Sequence, residues 1–315
     1  MTGKIKEVLE EKKRFLITTH VDPDGDAIGS VFAMYFFLKK MGKSPKVYLK
    51  DAIPYRYAFL PRPEEIENEL GMEYEGILVL DCGDLRRVGE GYKILQGHDL
   101  IVNIDHHETN EMFGKINYVS YGASSTAEIL YDIFKSFENG FTYEVAINLY
   151  TGILTDTGSF RFENTNERAF KICAEMLSYG VSPRFVAEMV YENHPKERFF
   201  LLSEVLKTLE IEEGGKLGIA SVTTEMLKKT RSTYEHSDGF VEYLKELKGV
   251  KVVVLLRELE SGRCKVSMRS KNDIDVGRVC QGFGGGGHKN AAGCIVNGKL
   301  EDVKELIKRA VSEVL

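Results

Sequence analysis

The sequence predicts an α/β protein with a mainly parallel N-terminal sheet, helices on both of its faces, a helical connector and a smaller C-terminal α/β domain. Three observations carry this prediction. Residues 15–20, 77–81 and 100–105 are largely apolar runs without strict alternation, and each ends in a polar side chain, His20, Asp81 or Asp105. Strands of that kind are buried on both faces, which implies parallel neighbours covered by helices. Helix-compatible segments fill the intervals between them. Beyond Glu212-Glu213-Gly214-Gly215 the pattern turns to closely spaced strands with a hairpin between two of them.

Each element follows from a local signal. A helix over 27–40 follows an acidic loop and stops before Gly42. A second, over 124–135, follows a Gly-Ala-Ser-Ser turn, with Ser124 or Ser125 as its N-cap. Residues 143–155 and 166–178 are helical in pattern, with Gly180 placed to end the latter. Residues 184–212 are rich in helix formers and break near His194-Pro195, where Pro195 can open a new helix. After the Gly214-Gly215 turn, 216–222, 250–258 and 264–269 read as strands, with Ser261-Gly262 joining the last two. Residues 238–247 and 300–314 read as helices. The domains are expected at 1–188 and 213–315, with 189–212 as the helical connector.

Composition narrows the function. The 315 residues carry 42 Lys plus Arg against 48 Asp plus Glu, a net charge of −6. That balance argues against coating long nucleic acid, which needs a broad basic surface, and leaves room for a small anionic substrate. The longest purely apolar run, 31–38, is far short of the ~20 residues that span a bilayer. The N-terminus lacks an apolar signal core, so no membrane association and a cytoplasmic location are expected. The five cysteines are scattered and contain no CxxC pair, against a disulfide framework or structural zinc.

In an open α/β sheet the ligand crevice lies beyond the carboxyl ends of the strands. The polar strand ends are therefore expected to converge there. His20-Val21-Asp22-Pro23-Asp24-Gly25-Asp26 offers one imidazole and several carboxylates, a donor set suited to Mn²⁺ or Mg²⁺, with the imidazole favouring Mn²⁺. Its plain alternative is an acidic turn capping the next helix. Asp81 by itself reads as a helix cap. Asp105-His106-His107 pairs two histidines with an aspartate able to orient an imidazole. Asp156, in Thr155-Asp156-Thr157-Gly158, would alone be a turn residue. Together His20, Asp24, Asp26, Asp81, His106 and Asp156 are the complement of a two-metal site with a bridging carboxylate. Such clustered carboxylates repel unless cations neutralise them. Two cations ~3.5–4 Å apart can acidify a water and stabilise an in-line displacement at phosphorus.

A further segment, Gly282-Phe283-Gly284-Gly285-Gly286-Gly287-His288, is followed by Ala291-Ala292-Gly293. Backbone without side chains can approach a phosphate closely, and His288 can add a charged bond. The alternative is a flexible hinge. Arg269, at the end of a strand, is suited to bidentate phosphate contacts, or is simply a surface strand residue.

On these residues the chain resembles the DHH phosphoesterase superfamily, and within it the stand-alone DHH–DHHA1 phosphodiesterases of nano-RNase and pAp-phosphatase type. Asp105-His106-His107 is the naming triplet, and the glycine segment with His288 is similar to the DHHA1 domain. Ala123-Ser124-Ser125-Thr126-Ala127-Glu128 and residues 155–161 support it, and the resemblance spans nearly the whole chain. It departs mildly at Cys280, where a small apolar residue is common.

The resemblance implies two Mn²⁺ ions per chain, with Mg²⁺ or Co²⁺ as substitutes. It implies that His20, Asp24 and Asp81 hold one, and that Asp26, Asp81, His106 and Asp156 hold the other. His107 would act at the scissile phosphate and Asp105 would orient a neighbouring histidine. Arg269, Gly285, Gly286, Gly287 and His288, with Arg161, would bind substrate, and Asp22 would not be a ligand. The implied reaction is hydrolysis of very short linear oligonucleotides, preferably dinucleotides such as 5′-pApA, to nucleoside 5′-monophosphates. That would serve RNA-fragment or cyclic di-AMP turnover, with the second domain closing over the first to exclude long strands. A pAp phosphatase is the alternative. A manganese pyrophosphatase, a RecJ-like exonuclease and a nucleotide-binding sensor without turnover fit less well. A homodimer is the family expectation.

Overall fold

The computed structural model of the chain describes residues 1–67, 70, 73–138, 140–260 and 262–315. It divides into two compact units, Met1–Asn193 and His194–Leu315.

In the first unit the elements run α1 (Thr2–Glu11), β1 (Arg14–Thr18), α2 (Gly25–Lys40), β2 (Ser44–Tyr48), β3 (Gly76–Leu80), α3 (Tyr92–Leu95), β4 (Ile101–Asp105), β5 (Ile116–Val119), α4 (Thr126–Lys135), α5 (Tyr143–Asp156), α6 (Glu167–Leu177) and α7 (Pro183–Ala187). The five strands form one parallel sheet in the order β2-β1-β3-β4-β5. Its three central strands, β1, β3 and β4, are buried on both faces, as the unalternating runs require. Phe15 and Ile17 face a large core with Phe32, Phe37, Phe134 and Leu149. Leu16, Ile77 and Val79 face a second, smaller core closed by Leu85, Val88 and Leu95. The long helices α2, α4 and α5 cover the first face. A single 3-10 turn, Leu85–Val88, and the short α3 cover the second.

The caps follow from side-chain chemistry. Ser125, Thr142 and Asn166 each accept a backbone N–H in the first turn of α4, α5 and α6. Two strands carry weak sequence signals. β2 begins Ser44-Pro45 and lies at the sheet edge, where proline is tolerated. β5 is only half-buried along its length.

In the second unit the elements are α8 (Lys196–Leu206), β6 (Glu210–Glu212), β7 (Leu217–Val222), α9 (Thr224–Thr230), α10 (Phe240–Lys245), β8 (Val252–Leu259), β9 (Arg263–Ser270), α11 (Val276–Gln281), β10 (Gly286–His288), β11 (Ala291–Asn297) and α12 (Leu300–Ser312). They form a six-stranded mixed sheet in the order β10-β11-β9-β8-β7-β6, in which only β7 and β8 are parallel. Pro195 stands at the N-cap of α8.

The segment expected to stay helical to residue 212 does not. Its helix ends at Leu206, and Glu210–Glu212 pairs antiparallel with β7 as an edge strand. The pairing supplies backbone bonds that an exposed extra helical turn would take from water. Of the predicted Ser261-Gly262 turn, Ser261 lies outside the described residues. Gly262 has φ +68°, the left-handed conformation glycine adopts readily. Among the described residues no helix is long and apolar enough to cross a membrane.

Candidate metal centre

The site is assembled where β1, β3 and β4 end and α2, α4 and α5 begin or stop. His20 lies just beyond β1, Asp81 just beyond β3, and His106 and His107 directly after β4. Asp24 is the N-cap of α2 and Asp26 lies in its first turn, while Asp156 is the last residue of α5. Asp81 adopts φ +53°, a left-handed conformation that is uncommon for a residue with a side chain. Such local strain persists only where the surroundings enforce it.

The donor atoms face one another in an orderly way. One oxygen of Asp81, Oδ2, lies 3.7 Å from His20 Nε2. The other, Oδ1, lies 3.6 Å from His106 Nε2. The same His106 nitrogen is 3.5 Å from Asp156 Oδ2. Atoms of His20, Asp24 and Asp81 fall within 4.8 Å of one another, as do those of Asp26, His106 and Asp156. The Asp81 carboxylate therefore turns one oxygen toward an imidazole in each group. Both imidazoles have Nδ1 near a carbonyl, His20 at 2.7 Å from Val21 O and His106 at 3.4 Å from Ala123 O. An Nδ1–H held by a carbonyl leaves the Nε2 lone pair for a ligand.

These separations test the fit to a cation. At 3.5–3.7 Å the imidazole nitrogens and carboxylate oxygens are too far apart for hydrogen bonds. They are close to the spacing of two ligands around one ion, roughly 3–3.5 Å for bonds near 2.1 Å. The charges agree. Burial and the neighbouring Asp81, Asp156 and Asp24 push the Asp26 carboxyl well above the usual carboxylate range. Burial raises Asp156 to about 7, against the pull of His106. Burial also opposes ionisation of Asp81, but the facing His20 ring and the charges of His107 and His106 hold it far below its ordinary value. The donor set and its clustered carboxylates fit a divalent cation, which would neutralise them.

Neighbouring groups fix the carboxylates. Asp24 Oδ1 accepts the N–H groups of Asp26 and Ala27, so the residue caps α2 while its other oxygen remains for a ligand. Asp26 accepts the Thr126 and Ala127 N–H groups at 2.6 and 3.0 Å and the Ser30 hydroxyl at 3.3 Å. The first turn of α4, whose amides have no intrahelical partner, thus points at a carboxylate. Thr126 Oγ1 donates to Asp81 Oδ1 at 2.9 Å, and Asn164 Nδ2 to Asp156 Oδ2 at 3.1 Å. Thr126, Ser30 and Asn164 escaped the sequence reading. Thr126 had a usable signal, because it opens a helix directly after a Ser-Ser cap.

Asp105 is fully buried, and its carboxylate, the His107 ring and the Asp81 carboxylate have atoms within 4.8 Å of one another. Its Oδ1 accepts from His107 Nδ1 at 2.7 Å and from the His106 N–H at 2.8 Å. Burial disfavours a charged His107 ring, but this bond and the charges of Asp81, Asp105 and Asp156 raise it to about 9. The pair is an imidazole ring held by a buried carboxylate at the edge of the acidic cluster. Arg161 is exposed on the loop after α5, and its Nε donates to the Gly158 carbonyl. The Asp22 N–H donates to Asp51 Oδ2.

In the second unit the glycine segment is paired strand rather than hinge. Gly286, Gly287 and His288 pair with Gly293, Ala292 and Ala291. A Cβ on Gly285 would lie 2.2 Å from the Gly293 carbonyl, and one on Gly287 would lie 2.5 Å from that of Ala291. These two positions admit only glycine, whereas a Cβ on Gly286 would meet open space. Ala291 also pairs with Arg269, so Arg269 and His288 belong to one row across β9, β11 and β10. Directly paired residues point to the same face of a sheet. The Arg269 guanidinium is held by Glu242 Oε1 through two nitrogens at 2.9 Å. Cys280 is buried between α11 and β11, close to Cys294.

Residues 14–153 match the DHH family N-terminal domain, and residues 214–314 match the DHHA1 domain. A bifunctional oligoribonuclease and PAP phosphatase NrnA from Thermus thermophilus is 36% identical over 302 residues, covering 95% of this chain and 89% of that protein. The chain belongs to the DHH family. Members carrying the NrnA name include one from Bacillus subtilis, 27% identical over 294 residues, covering 89% of this chain and 88% of that protein. An exopolyphosphatase-related protein from Bacteroides fragilis superposes with a TM-score of 0.91 at 28% identity, covering 99% of this chain and 95% of that one. The chain is thus a metal-dependent hydrolase of this family, with DHH followed by DHHA1.

Proposed function

We propose that the chain is a manganese-dependent phosphodiesterase acting on very short linear oligonucleotides, preferably dinucleotides such as 5′-pApA, releasing nucleoside 5′-monophosphates. The observation that carries the metal reading is the Asp81 carboxylate, whose two oxygens face two different imidazoles. On this reading His20, Asp24 and Asp81 hold one divalent cation, and Asp26, Asp81, His106 and Asp156 hold a second. Bound there, such cations neutralise the carboxylates, acidify a water and offset charge developing at phosphorus. Imidazole with carboxylate donors suits Mn²⁺, and Mg²⁺ or Co²⁺ can substitute.

The chain's own residues do the rest. Asp105 holds His107 Nδ1 and so orients a ring that would donate to a phosphate oxygen. When protonated, that ring favours the anionic substrate over a neutral one. Thr126, Ser30 and the first turn of α4 keep Asp81 and Asp26 in fixed orientations. In the DHHA1 domain, Arg269, His288 and the backbone of Gly285, Gly286 and Gly287 bind the substrate's terminal phosphate. The same-face row of Arg269 and His288 supports this. Arg161 is a further candidate for the phosphate. We take 1–188 as the catalytic domain and 213–315 as the substrate-binding domain, acting in the cytoplasm.

A second reading, hydrolysis of pAp, is favoured by the paired activities in the relatives' names. Chromatographic product analysis with Mn²⁺ separates the readings. The substrates are 5′-pApA, a five-residue oligoadenylate, pAp, cyclic di-AMP and pyrophosphate, each with a chelator control. AMP from 5′-pApA as the fastest product supports the phosphodiesterase. Dominant phosphate release from pAp moves the assignment to the second reading, and turnover of pyrophosphate alone refutes both. His106→Ala should reduce any turnover to the chelator blank while leaving the circular dichroism spectrum unchanged.

A further inference from the structure

An asparagine in the middle of a buried apolar strand needs an explanation. Asn103 lies in β4 between Val102 and Ile104, and it is fully buried. Leaving such an amide unpaired in the core is costly. Its Nδ2 donates to the carbonyls of Val79 and Cys82 at 3.3 and 3.1 Å, the residues on either side of the Leu80-Asp81 step. Its Oδ1 is taken by Asn110 Nδ2 at 2.8 Å.

Asn110, seven residues on, is bound at both ends of its side-chain amide and at its backbone N–H. Its Nδ2 also donates to Asp105 Oδ2 at 2.6 Å, its Oδ1 accepts the Met112 N–H at 2.7 Å, and its own N–H donates to the His107 carbonyl at 3.2 Å. The reverse orientation of the amide would set oxygen against both the Asp105 carboxylate and Asn103 Oδ1, so only one orientation is compatible with its neighbours. Asp105 therefore has Oδ2 tied by Asn110, while Oδ1 holds the ring of His107. With one oxygen tied, the carboxylate cannot rotate about its terminal bond, and the direction of the second oxygen is fixed.

We propose that Asn110, itself oriented by Asn103, is a positioning residue for His107, acting through Asp105 to fix the plane of the imidazole ring. It does not touch substrate. The kinetic consequence rests on the reading above that His107 faces the phosphate, whereas the structural consequence does not.

The test reads both. In metal-free protein with ¹⁵N-labelled histidine, the His107 Nδ1–H gives a slowly exchanging downfield resonance, assigned by its loss in His107→Gln. Asn110→Ala should broaden or abolish it. With Mn²⁺ and 5′-pApA, the same variant should lose about 10–100-fold in kcat, the usual effect of removing such a support. KM and Mn²⁺ affinity should stay within about twofold. In the His107→Gln background, Asn110→Ala should add less than about twofold. A resonance that persists in Asn110→Ala overturns the proposal. So does an equal loss of kcat in both backgrounds, which would mark a general structural role. A lost resonance with unchanged kcat upholds Asn110 as the support of the ring and instead refutes His107 as the group at the phosphate. Should Asn110→Ala not fold, Asn110→Asp keeps the volume and the acceptor for Met112, removes the donor, and reads the same resonance.

Discussion

Replacing Gly152 with alanine tests whether the close approach of α5 to α2 and α4 fixes a metal ligand. A Cβ at this position would lie 2.8 Å from Asp26 Oδ1 and 2.8 Å from the Ala127 Cβ. Ordinary contacts are about 3.5–4.0 Å, so roughly 0.7–1.2 Å must be found at each. Ala127 is part of the α4 backbone, and Asp26 is held by two amides and a hydroxyl, so neither yields freely. Overpacking of this kind costs about 1–3 kcal/mol. Alanine in place of a mid-helix glycine returns about 1 kcal/mol. The net loss is then about 0–2 kcal/mol. At ~2–4 °C per kcal/mol for a unit of this size, the melting midpoint should fall by up to about 8 °C. Mn²⁺ affinity should fall further in relative terms, by about 10–100-fold, if the displaced Asp26 carboxylate holds metal as proposed. Gly29→Ala is the control, since its Cβ would meet the Asn148 carbonyl at 2.5 Å and no ligand atom. Calorimetric titration of chelator-treated protein measures affinity, and a thermal melt measures stability. Equal Mn²⁺ affinity in Gly152→Ala and wild type, with the midpoint lowered as expected, would refute the reasoning.

Other tests address separate parts of the structure. Chelation should abolish turnover and lower the melting midpoint, and Mn²⁺ at about 100 times its dissociation constant should restore about 2.7 kcal/mol, read as a concentration-dependent rise in the midpoint. Arg269→Ala should raise KM at least about 10-fold and leave Mn²⁺ affinity unchanged, while the melting midpoint drops because Glu242 loses its partner. Glu175→Gln addresses α6. Burial opposes its ionisation, but Lys135 and the Tyr131 hydroxyl hold its carboxyl below the usual 4.5, at contacts of 2.6 and 2.7 Å. A depressed carboxylate stabilises the fold above its unfolded pKa, and that contribution disappears as pH falls through the folded value. The variant should thus be less stable than wild type by about 1 kcal/mol at pH 7. The gap should close as pH falls below 4.5, and a gap that widens in acid would contradict the assignment.

What could be read from the sequence was whatever lies on contiguous residues. The strands ending at His20, Asp81 and Asp105 announce themselves, because burial on both faces removes alternation and leaves the polar end conspicuous. The second-sheet elements were harder to read. Residues 284–287 look like a hinge because four glycines carry no strand propensity, yet close packing against β11 demands glycine at Gly285 and Gly287. The edge strand Glu210–Glu212 resembles helix, since nothing in Glu-Ile-Glu distinguishes the two without its β7 partner. The supports of the metal centre were least legible. Thr126 is 45 positions from Asp81 and 100 from Asp26, and only the fold joins them.

The plain and functional readings of a residue also prove not to be rivals. Asp24 caps α2 with one oxygen, and it is the capped helix that directs the other oxygen toward His20 and Asp81. Asp26 completes the first turn of α4 and belongs to the acidic cluster for the same reason, since amides lacking intrahelical partners stabilise a carboxylate there. A helix terminus that a cluster of carboxylates must satisfy is one whose position the cluster fixes. The arrangement therefore couples the stability of α2 and α4 to the geometry of the donors. Gly152 is a point where that coupling can be tested, because a Cβ there would meet both the Asp26 carboxylate and α4, which holds it.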